Sequence, residues 1–375
     1  MTLKKSTSLM EHFSLLDDPR IAKKSDHKLI SIIMISICAT LCGANTWVEM
    51  EEFGKAKRTW FETFLDLPNG IPSHDTFGRV FSLLSHKNFQ ECFLSWVNSI
   101  SGEIKGVVAI DGKTLRRSHD RSSGKAAIHM VSAWSSENNI VLGQIKTEEK
   151  SNEITAIPKL LKALNVHGCI VTIDAMGCQT AITSQIIEQG GDYVVALKGN
   201  QEKLATEVEQ VFTQADEKEY EGYDWDYYET YKKSHGREEI RRYWTIDCQD
   251  LLENSERWSK LNTIGMVEST RITKDKTTIE HRYYIASIEN DATLFGKSAR
   301  EHWGIENSLH WCLDVGFRED ECRIRKGQAA ENHALLNHIA LNALKREKTA
   351  KVGIQVKRHK AGWDEKYLLK VLSCT

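Results

Sequence analysis

A chain of 375 residues, 27% charged and 41% hydrophobic, has the composition of an ordinary folded protein, which argues against extensive disorder. Its length is too great for one small core, so we expect two or three domains or a large insertion. The formal net charge of -2 neither favours nor excludes nucleic acid as a partner, because a basic groove can coexist with acidic outer faces.

Cysteine spacing and apolar runs indicate the compartment. None of the nine cysteines belongs to a Cys-x-x-Cys pair and no signal peptide is recognisable, so we expect reduced cytoplasmic thiols. The apolar run from Leu29 to Cys42 contains three serine or threonine residues and is shorter than the roughly 20 residues that span a bilayer. It predicts a buried helix, and we expect a soluble, cytoplasmic protein with no membrane partner.

Residues 1–100 are predicted to form a helical N-terminal domain. Apolar residues recur with a period near 3.6 from Leu29 to Leu41 and beyond. A loop at residues 67–72 interrupts this pattern, and Ser73 or Asp75 is expected to cap the helix that follows.

Residues 101–219 are predicted to form the first part of a mixed sheet flanked by helices. Strands are expected at 107–111, 128–134, 140–147, 169–174 and 192–198. Helices are expected at 153–164, 178–189 and from Asn200, with Pro158 tolerable only near the first turn of its helix. Three consecutive strands followed by alternating helices and strands are the element order of an RNase H-like α/β core.

The remaining residues are predicted to interrupt and then complete this core. Residues 220–290 lose the helical period and gain aromatic and β-branched residues, which predicts a β-rich insertion. Residues 291–375 are expected to complete the core and add C-terminal helices, with helical patterns at about 295–312 and 327–346.

Two aspartates follow apolar, β-favouring runs: Asp111 ends the run from Val107, and Asp174 ends the run from Ile170. Burying such a carboxylate is costly unless something neutralises its charge. In the predicted element order the first and fourth strands can be neighbours, which would place both acids at one edge of the sheet, where a divalent metal could bind. The alternative is that each is a turn former or helix cap, the usual fate of a single Asp in this position.

A third acid is expected on the helix at about 295–312. Residues four apart, His302, Glu306 and His310, would form a polar stripe beside an apolar face, leaving Glu306 half-buried between two imidazoles. The competing acids project off this stripe or fall near or past the helix end; they are Glu301, Asp314, Glu319 and Asp320. The same stripe could alternatively bind zinc, but the two strand-end aspartates would then be unexplained.

Four segments of the chain resemble the DDE transposases of bacterial insertion sequences, most closely the H-repeat-associated group. These segments are Ala109-Ile110-Asp111-Gly112-Lys113, Ile173-Asp174-Ala175, residues 196–201 and residues 302–311. Residues 71–77 and 235–238 also fit that group, so the resemblance covers nearly the whole chain.

The resemblance implies an RNase H-like catalytic domain with a β-rich insertion ahead of the acidic helix. Its matching catalytic residues would be Asp111, Asp174 and Glu306, which would hold two Mg²⁺ ions, or Mn²⁺ in their place. The expected partners are double-stranded DNA, as terminal inverted repeats and as target, and a second copy of the chain. The wider superfamily often carries a Tyr-x2-Arg-x3-Glu-x6-Lys signature, whose positions are here Ala299, His302, Glu306 and Leu313, which leaves open how the DNA end is gripped.

Basic and polar side chains near the predicted acids are expected to contact DNA phosphates, although any one cluster could be a solvated face. The predicted contacts are Lys113, Arg116, Arg117, Lys198, Asn200, Arg237, His302, Asn307, His310, Arg323 and Arg325, with Arg121 near the first acid. Trp303 and Trp311 could stack on an extruded base, but packing in a core or interface is the preferred interpretation.

Charge considerations suggest the chemistry. Phosphodiester cleavage needs an activated oxygen nucleophile and relief of charge on the leaving 3′ oxygen, and two metal ions about 4 Å apart supply both. Together with the resemblance, this chemistry implies a DDE-type transposase that cleaves and transfers DNA strands. The alternatives are a catalytically inactive DNA-binding relic of a mobile element and, with less support, a metal-dependent RNA nuclease on the same fold.

Overall fold

A computed structural model of the chain describes residues 8–21, 25–119, 126–148, 152–234 and 236–374. The predicted contributions of Arg121 and His235 lie outside these residues. Within them, no helix is both long enough and apolar enough to cross a membrane.

Among the described residues up to 101 there are six helices. They are α1 (Ser8–Phe13), α2 (Leu29–Leu41), α3 (Trp47–Ala56), α4 (Arg58–Phe61), α5 (His74–Leu83) and α6 (His86–Ser101). Every residue of α2 except Ile30 is buried, which confirms the predicted buried helix. Ser73 caps α5 by accepting a hydrogen bond from the backbone N–H of Thr76, so of the two predicted caps the serine is the correct one.

Nine strands form one continuous sheet. They are β1 (Gly106–Leu115), β2 (Ile128–Ser135), β3 (Ile140–Lys146), β4 (Cys169–Ile173), β5 (Asp192–Ala196), β6 (Trp225–Ser234), β7 (Arg237–Asp247), β8 (Thr263–Ile272) and β9 (Thr277–Ala286). Their order across the sheet is β3-β2-β1-β4-β5-β9-β8-β7-β6. The β1–β4 and β4–β5 pairs are parallel and the others are antiparallel, which confirms the predicted RNase H-like mixed sheet flanked by helices.

The predicted β-rich segment after residue 220 consists of β6 to β9 and extends the core sheet. Strand β9 pairs antiparallel with β5, for example through Val195 and Ile285. Without this pairing β5 would be an edge strand with unpaired backbone N–H and C=O groups. The pairing with β9 provides partners for those groups, and the sheet continues from β9 through β8 and β7 to β6. The four strands therefore share one hydrogen-bonded sheet with the core strands.

The helices in the described residues after 152 are α7 (Glu153–Ala163), α8 (Thr180–Glu188), α9 (Glu202–Glu217), α10 (Ala292–Ile305), α11 (Ala329–Arg346), α12 (Ile354–Trp363) and α13 (Glu365–Ser373). Pro158 lies inside α7 and not in its first turn, so the expected limit on its position is wrong. Pro158 has no backbone N–H, so one hydrogen bond of the helix is absent. The helix continues past it because its apolar face, including Ile157 and Leu161, is buried against the sheet and its neighbours.

The helix that carries Glu306 is irregular. After Ile305, α10 continues as two π-helical stretches, Glu306–His310 and Cys312–Gly316. The apolar spacing of the sequence predicts a regular α-helix through residue 312. Such spacing does not reveal the extra residue that each π-helical turn contains. Such wide turns are uncommon and are often found at functional sites.

Candidate active site

Asp111 and Asp174 lie side by side at the carboxyl ends of two parallel strands. The register pairs Ile110 of β1 with Ile173 of β4, so the next residue on each strand is an aspartate. Strand β1 continues to Leu115 as an antiparallel partner of β2, whereas β4 ends before Asp174. The predicted adjacency of the two acids is confirmed, and it results from the parallel pairing of the first and fourth strands.

Backbone N–H groups orient both aspartates. Oδ1 of Asp111 accepts a hydrogen bond from the N–H of Gly112 at 2.8 Å. Oδ1 of Asp174 accepts from the N–H groups of Met176 at 3.0 Å and Gly177 at 3.4 Å, capping a short 3₁₀ turn. The helix-cap interpretation is thus also true of Asp174, and the cap holds the carboxylate at the end of its strand.

Glu306 joins the two aspartates at one cavity of about 220 Å³. Other side chains that line this cavity include Lys198, Arg282 and His302, and most of the remaining lining is apolar. Glu306 is exposed and not half-buried as expected, since its neighbours Ile305 and Leu309 take the buried positions of the helix. Three elements distant in sequence therefore bring three carboxylates to one cavity.

The two histidines predicted to flank Glu306 have other partners. Nδ1 of His302 lies 3.2 Å from Oγ1 of Thr172, and burial lowers the pKa of His302 to about 4. Nδ1 of His310 lies 3.6 Å from Oδ2 of Asp111, and burial lowers the pKa of His310 to about 4 as well. Both rings are therefore neutral near pH 7. They point to separate strands, which does not support a zinc site on the stripe.

The acids bring several carboxylates close together, and Lys198 and Arg282 are basic side chains that line the same cavity. Burial, and after it the nearby carboxylates of Glu153, Asp174 and Glu306, raises the pKa of Asp111 to about 7 against the opposing Gly112 hydrogen bond. Burial and the charge of Glu153 also raise the pKa of Asp174. Oxygen donors with uncompensated charge are the ligands that Mg²⁺ and Mn²⁺ prefer, so the donor set fits a divalent cation. Among the described residues, no three His, Cys, Asp or Glu side chains are already arranged to hold a metal ion.

We predict that the contribution of Asp111 to the stability of the metal-free protein falls as pH rises from about 4 to about 7. The folded protein keeps a proton on Asp111 up to about pH 7, whereas the unfolded chain releases it near pH 4, so the folded state binds more protons in this window. Urea denaturation across this range measures the free energy of unfolding of Asp111→Asn and of the unsubstituted chain. The value for Asp111→Asn minus the value for the unsubstituted chain should increase as pH rises. A difference between the two proteins that does not vary with pH would contradict the prediction.

Lys113 is paired inside the protein. Its ammonium group donates to Asp314 and, at 2.9 Å, to Glu319, and the side chain of Asn337 donates to the other carboxylate oxygen of Glu319 at 3.2 Å. Glu319 is only 4% exposed. This arrangement differs from the expected phosphate contact of Lys113. It also occupies two of the acids that competed with Glu306 for the third position.

The other predicted DNA contacts are dispersed. Lys198 is exposed on the cavity. The side chain of Asn200 donates to the carbonyl of Ala175 at 2.6 Å and so joins the loop after β5 to the turn after Asp174.

Three of the predicted arginines have local partners: Arg116 pairs with Asp320, Arg237 pairs with Glu239, and Arg325 donates to the carbonyl of Arg117. Arg323 is exposed, and Asn307 donates to the carbonyl of Trp303. Only Lys198 and His302 of the predicted contacts line the cavity itself.

Arg282 lies near the site although the sequence does not predict it there. The Arg282 guanidinium, on β9, lies 4.6 Å from the ring centre of Trp303 and borders the cavity. Nothing marks Arg282 in the sequence, because its position depends on β9 joining β5. Core packing of Trp303 and Trp311 is wrong, since their exposed fractions are 37% and 59%, and packing in an interface stays a prediction. Trp303 also lines the cavity of the three acids.

The chain is similar to known proteins along its whole length. Residues 103–343 match the family described as "Transposase DDE domain", and residues 10–97 match the one described as "DDE_Tnp_1-associated". The chain is 45% identical over 379 aligned residues to the H repeat-associated putative transposase YhhI of Escherichia coli (strain K12), covering 100% of this chain and 99% of that protein. It is 41% identical over 374 residues to the putative transposase YncI of Escherichia coli O157:H7, covering 98% and 95% respectively.

Among solved structures, the chain is similar to the piggyBac transposase in a cryo-EM structure of its synaptic complex with hairpin DNA. The TM-score is 0.41 at 10% sequence identity, and the match covers 97% of this chain and 77% of that one.

Proposed function

The chain belongs to the family of transposases with a DDE domain, and on that premise we propose that it cleaves DNA at the ends of an insertion sequence and transfers those ends into target DNA. Asp111, Asp174 and Glu306 would hold two Mg²⁺ ions, or Mn²⁺ in their place. The observation that carries this proposal is the cavity that these three carboxylates line, although they come from β1, the turn after β4 and the irregular helix.

The residues of the chain divide the work of the reaction. When bound, the metal ions would activate an oxygen nucleophile and offset charge on the leaving 3′ oxygen. Backbone N–H groups hold the two aspartates in place, and the neutral ring of His302 holds the helix that carries Glu306 against β4. Lys198 and Arg282 bring positive charge to the same cavity, where the phosphates of a DNA end would lie.

Two further features belong to the proposal. Joining both ends of one element to one target requires the two ends to be held together, which we attribute to a homodimer on double-stranded DNA. We place the reaction in the cytoplasm, where the nine cysteines, none in a disulfide among the described residues, would stay reduced.

A cleavage assay tests the proposal. Labelled duplexes that carry the inverted repeats flanking the gene are incubated with the full chain and Mg²⁺ or Mn²⁺. We expect nicks at the repeat boundary that leave a 3′ hydroxyl, and no nicks when EDTA is present. Salt-sensitive binding without nicking would instead indicate an inactive DNA-binding relic. Preferential cleavage of a matched RNA duplex would indicate a ribonuclease.

We predict that Lys198→Ala weakens DNA binding and reduces its dependence on salt. If Lys198 contacts one phosphate, the magnitude of the negative slope of log K against log salt should decrease by about 1. Fluorescence anisotropy with the end duplex at several salt concentrations measures this slope. The control is Lys162→Ala, at the opposite end of α7 from Glu153, which should leave affinity and slope unchanged. Equal slopes for Lys198→Ala and the unsubstituted chain would remove Lys198 from the DNA contacts.

A further inference from the structure

A buried glutamate lies against the strand residue that follows the first aspartate. Glu153 is the first residue of α7 and is only 8% exposed. A Cβ atom added at Gly112, the residue after Asp111, would stand 2.0 Å from Oε1 of Glu153. The carboxylate therefore lies against the backbone of β1 at the point where Asp111 leaves it, and a glycine at position 112 makes room for it.

A hydrogen-bond chain fixes the position of this carboxylate. Nε2 of His129 lies 2.8 Å from Oε1 of Glu153, and Nδ1 of the same ring lies 2.9 Å from Oγ1 of Thr114. Thr114 and His129 face each other in the register of β1 and β2. With both ring nitrogens engaged the imidazole cannot turn freely, so it holds one oxygen of Glu153 in place.

Helix α7 also reaches the second aspartate. Ile157, one turn after Glu153, packs against the 3₁₀ turn that Asp174 caps. A Cβ atom added at Gly177, the last residue of that turn, would lie 3.0 Å from the Ile157 side chain. Asp111 adjoins Gly112, against which Glu153 lies, and Asp174 caps the turn against which Ile157 lies, so α7 reaches the backbone next to both aspartates. Three buried or half-buried carboxylates thus lie together, which is costly unless a cation binds among them.

We propose that Glu153 is a fourth carboxylate of the metal site, with His129 as the residue that positions it. This inference rests on the proposed function, since it assigns one more ligand to the same two ions. Hard divalent ions bind oxygen ligands and keep several waters, and Glu153 offers one more carboxylate against the strand that carries Asp111. It binds a metal ion either directly or through a metal-bound water.

Calorimetric titration of the DNA-free full chain with Mn²⁺ tests this assignment without relying on activity. Glu153→Gln keeps the size and hydrogen-bonding capacity of the side chain and removes its charge. We expect it to weaken Mn²⁺ binding by about 10-fold or more. Without metal, its thermal midpoint should be equal to or above that of the unsubstituted chain, because one of several like charges is gone. The matched control is Glu148→Gln: the side chain of Glu148 is 70% exposed and pairs with Lys159, so Mn²⁺ affinity should not change.

The outcomes separate this inference from the proposed function. If Asp111→Asn weakens Mn²⁺ binding but Glu153→Gln does not, the fourth carboxylate is wrong and the proposed three-acid site stands. If Asp111→Asn also binds Mn²⁺ as tightly as the unsubstituted chain, both proposals fail. Should Glu153→Gln not fold, His129→Asn provides the second test, because it keeps the carboxylate and removes its support. An Mn²⁺ affinity of His129→Asn equal to that of the unsubstituted chain would then overturn the inference.

Discussion

Glu306→Gln should reduce metal-dependent cleavage of end DNA by at least about 10³-fold while leaving the fold and DNA binding intact. The substitution keeps the size of the side chain and removes the charge that would hold a metal ion. Because Glu306 is exposed, the free energy of unfolding should change little. Single-turnover cleavage of the labelled end duplex, with circular dichroism and anisotropy on the same samples, measures the three quantities.

Glu301→Gln is the matched control for this prediction. Glu301 lies on the same helix, but it borders a neighbouring groove and not the cavity that the three acids share. Its substitution should leave cleavage within a few-fold of the unsubstituted rate. If Glu306→Gln cleaves as fast as Glu301→Gln, Glu306 is not the third acid.

Lys113→Met should destabilise the protein by about 3–5 kcal/mol, because it leaves the buried carboxylate of Glu319 without its cation. Asp314, at the end of the irregular helix, loses its partner in the same variant. Urea denaturation in the absence of metal measures the loss. The double variant Lys113→Met with Glu319→Met should recover much of it, since an apolar pair leaves no uncompensated charge.

The same variant distinguishes internal pairing from the phosphate contact expected from the sequence. A phosphate contact predicts a lower salt dependence of DNA binding with little change in stability. Internal pairing predicts an unchanged salt dependence at temperatures where the variant stays folded. A destabilisation below about 1 kcal/mol together with a reduced slope would contradict the pairing and restore the DNA contact.

Much of the site follows from local patterns in the sequence. Each aspartate ends a short run of β-favouring residues, and the element order places the first and fourth strands side by side, which the parallel β1–β4 register confirms. Because the strands are parallel and nearly in register, two residues that end their runs must be neighbours. The helix of Glu306 was recognisable from its apolar spacing, which needs no knowledge of its partners.

Features that depend on tertiary pairing were not predictable in this way. An acidic residue at the start of a helix, such as Glu153, ordinarily reflects the helix dipole, and only the packing of α7 on β1 distinguishes it. The ion pair of Lys113 with Glu319 joins residues 206 positions apart. Arg282 reaches the cavity only because β9 pairs with β5. The π-helical turns after Ile305 leave no periodic signal in so short a segment.

The central claim is that Asp111, Asp174 and Glu306 form one phosphoryl-transfer site. Its most direct test is strand transfer from a pre-nicked end duplex, which already carries the 3′ hydroxyl, into a target plasmid in the presence of Mg²⁺. We expect joined product with the unsubstituted chain and none with the Asp174→Asn variant. We expect the two proteins to bind the duplex equally well. Joined product at equal yield with Asp174→Asn would contradict the account.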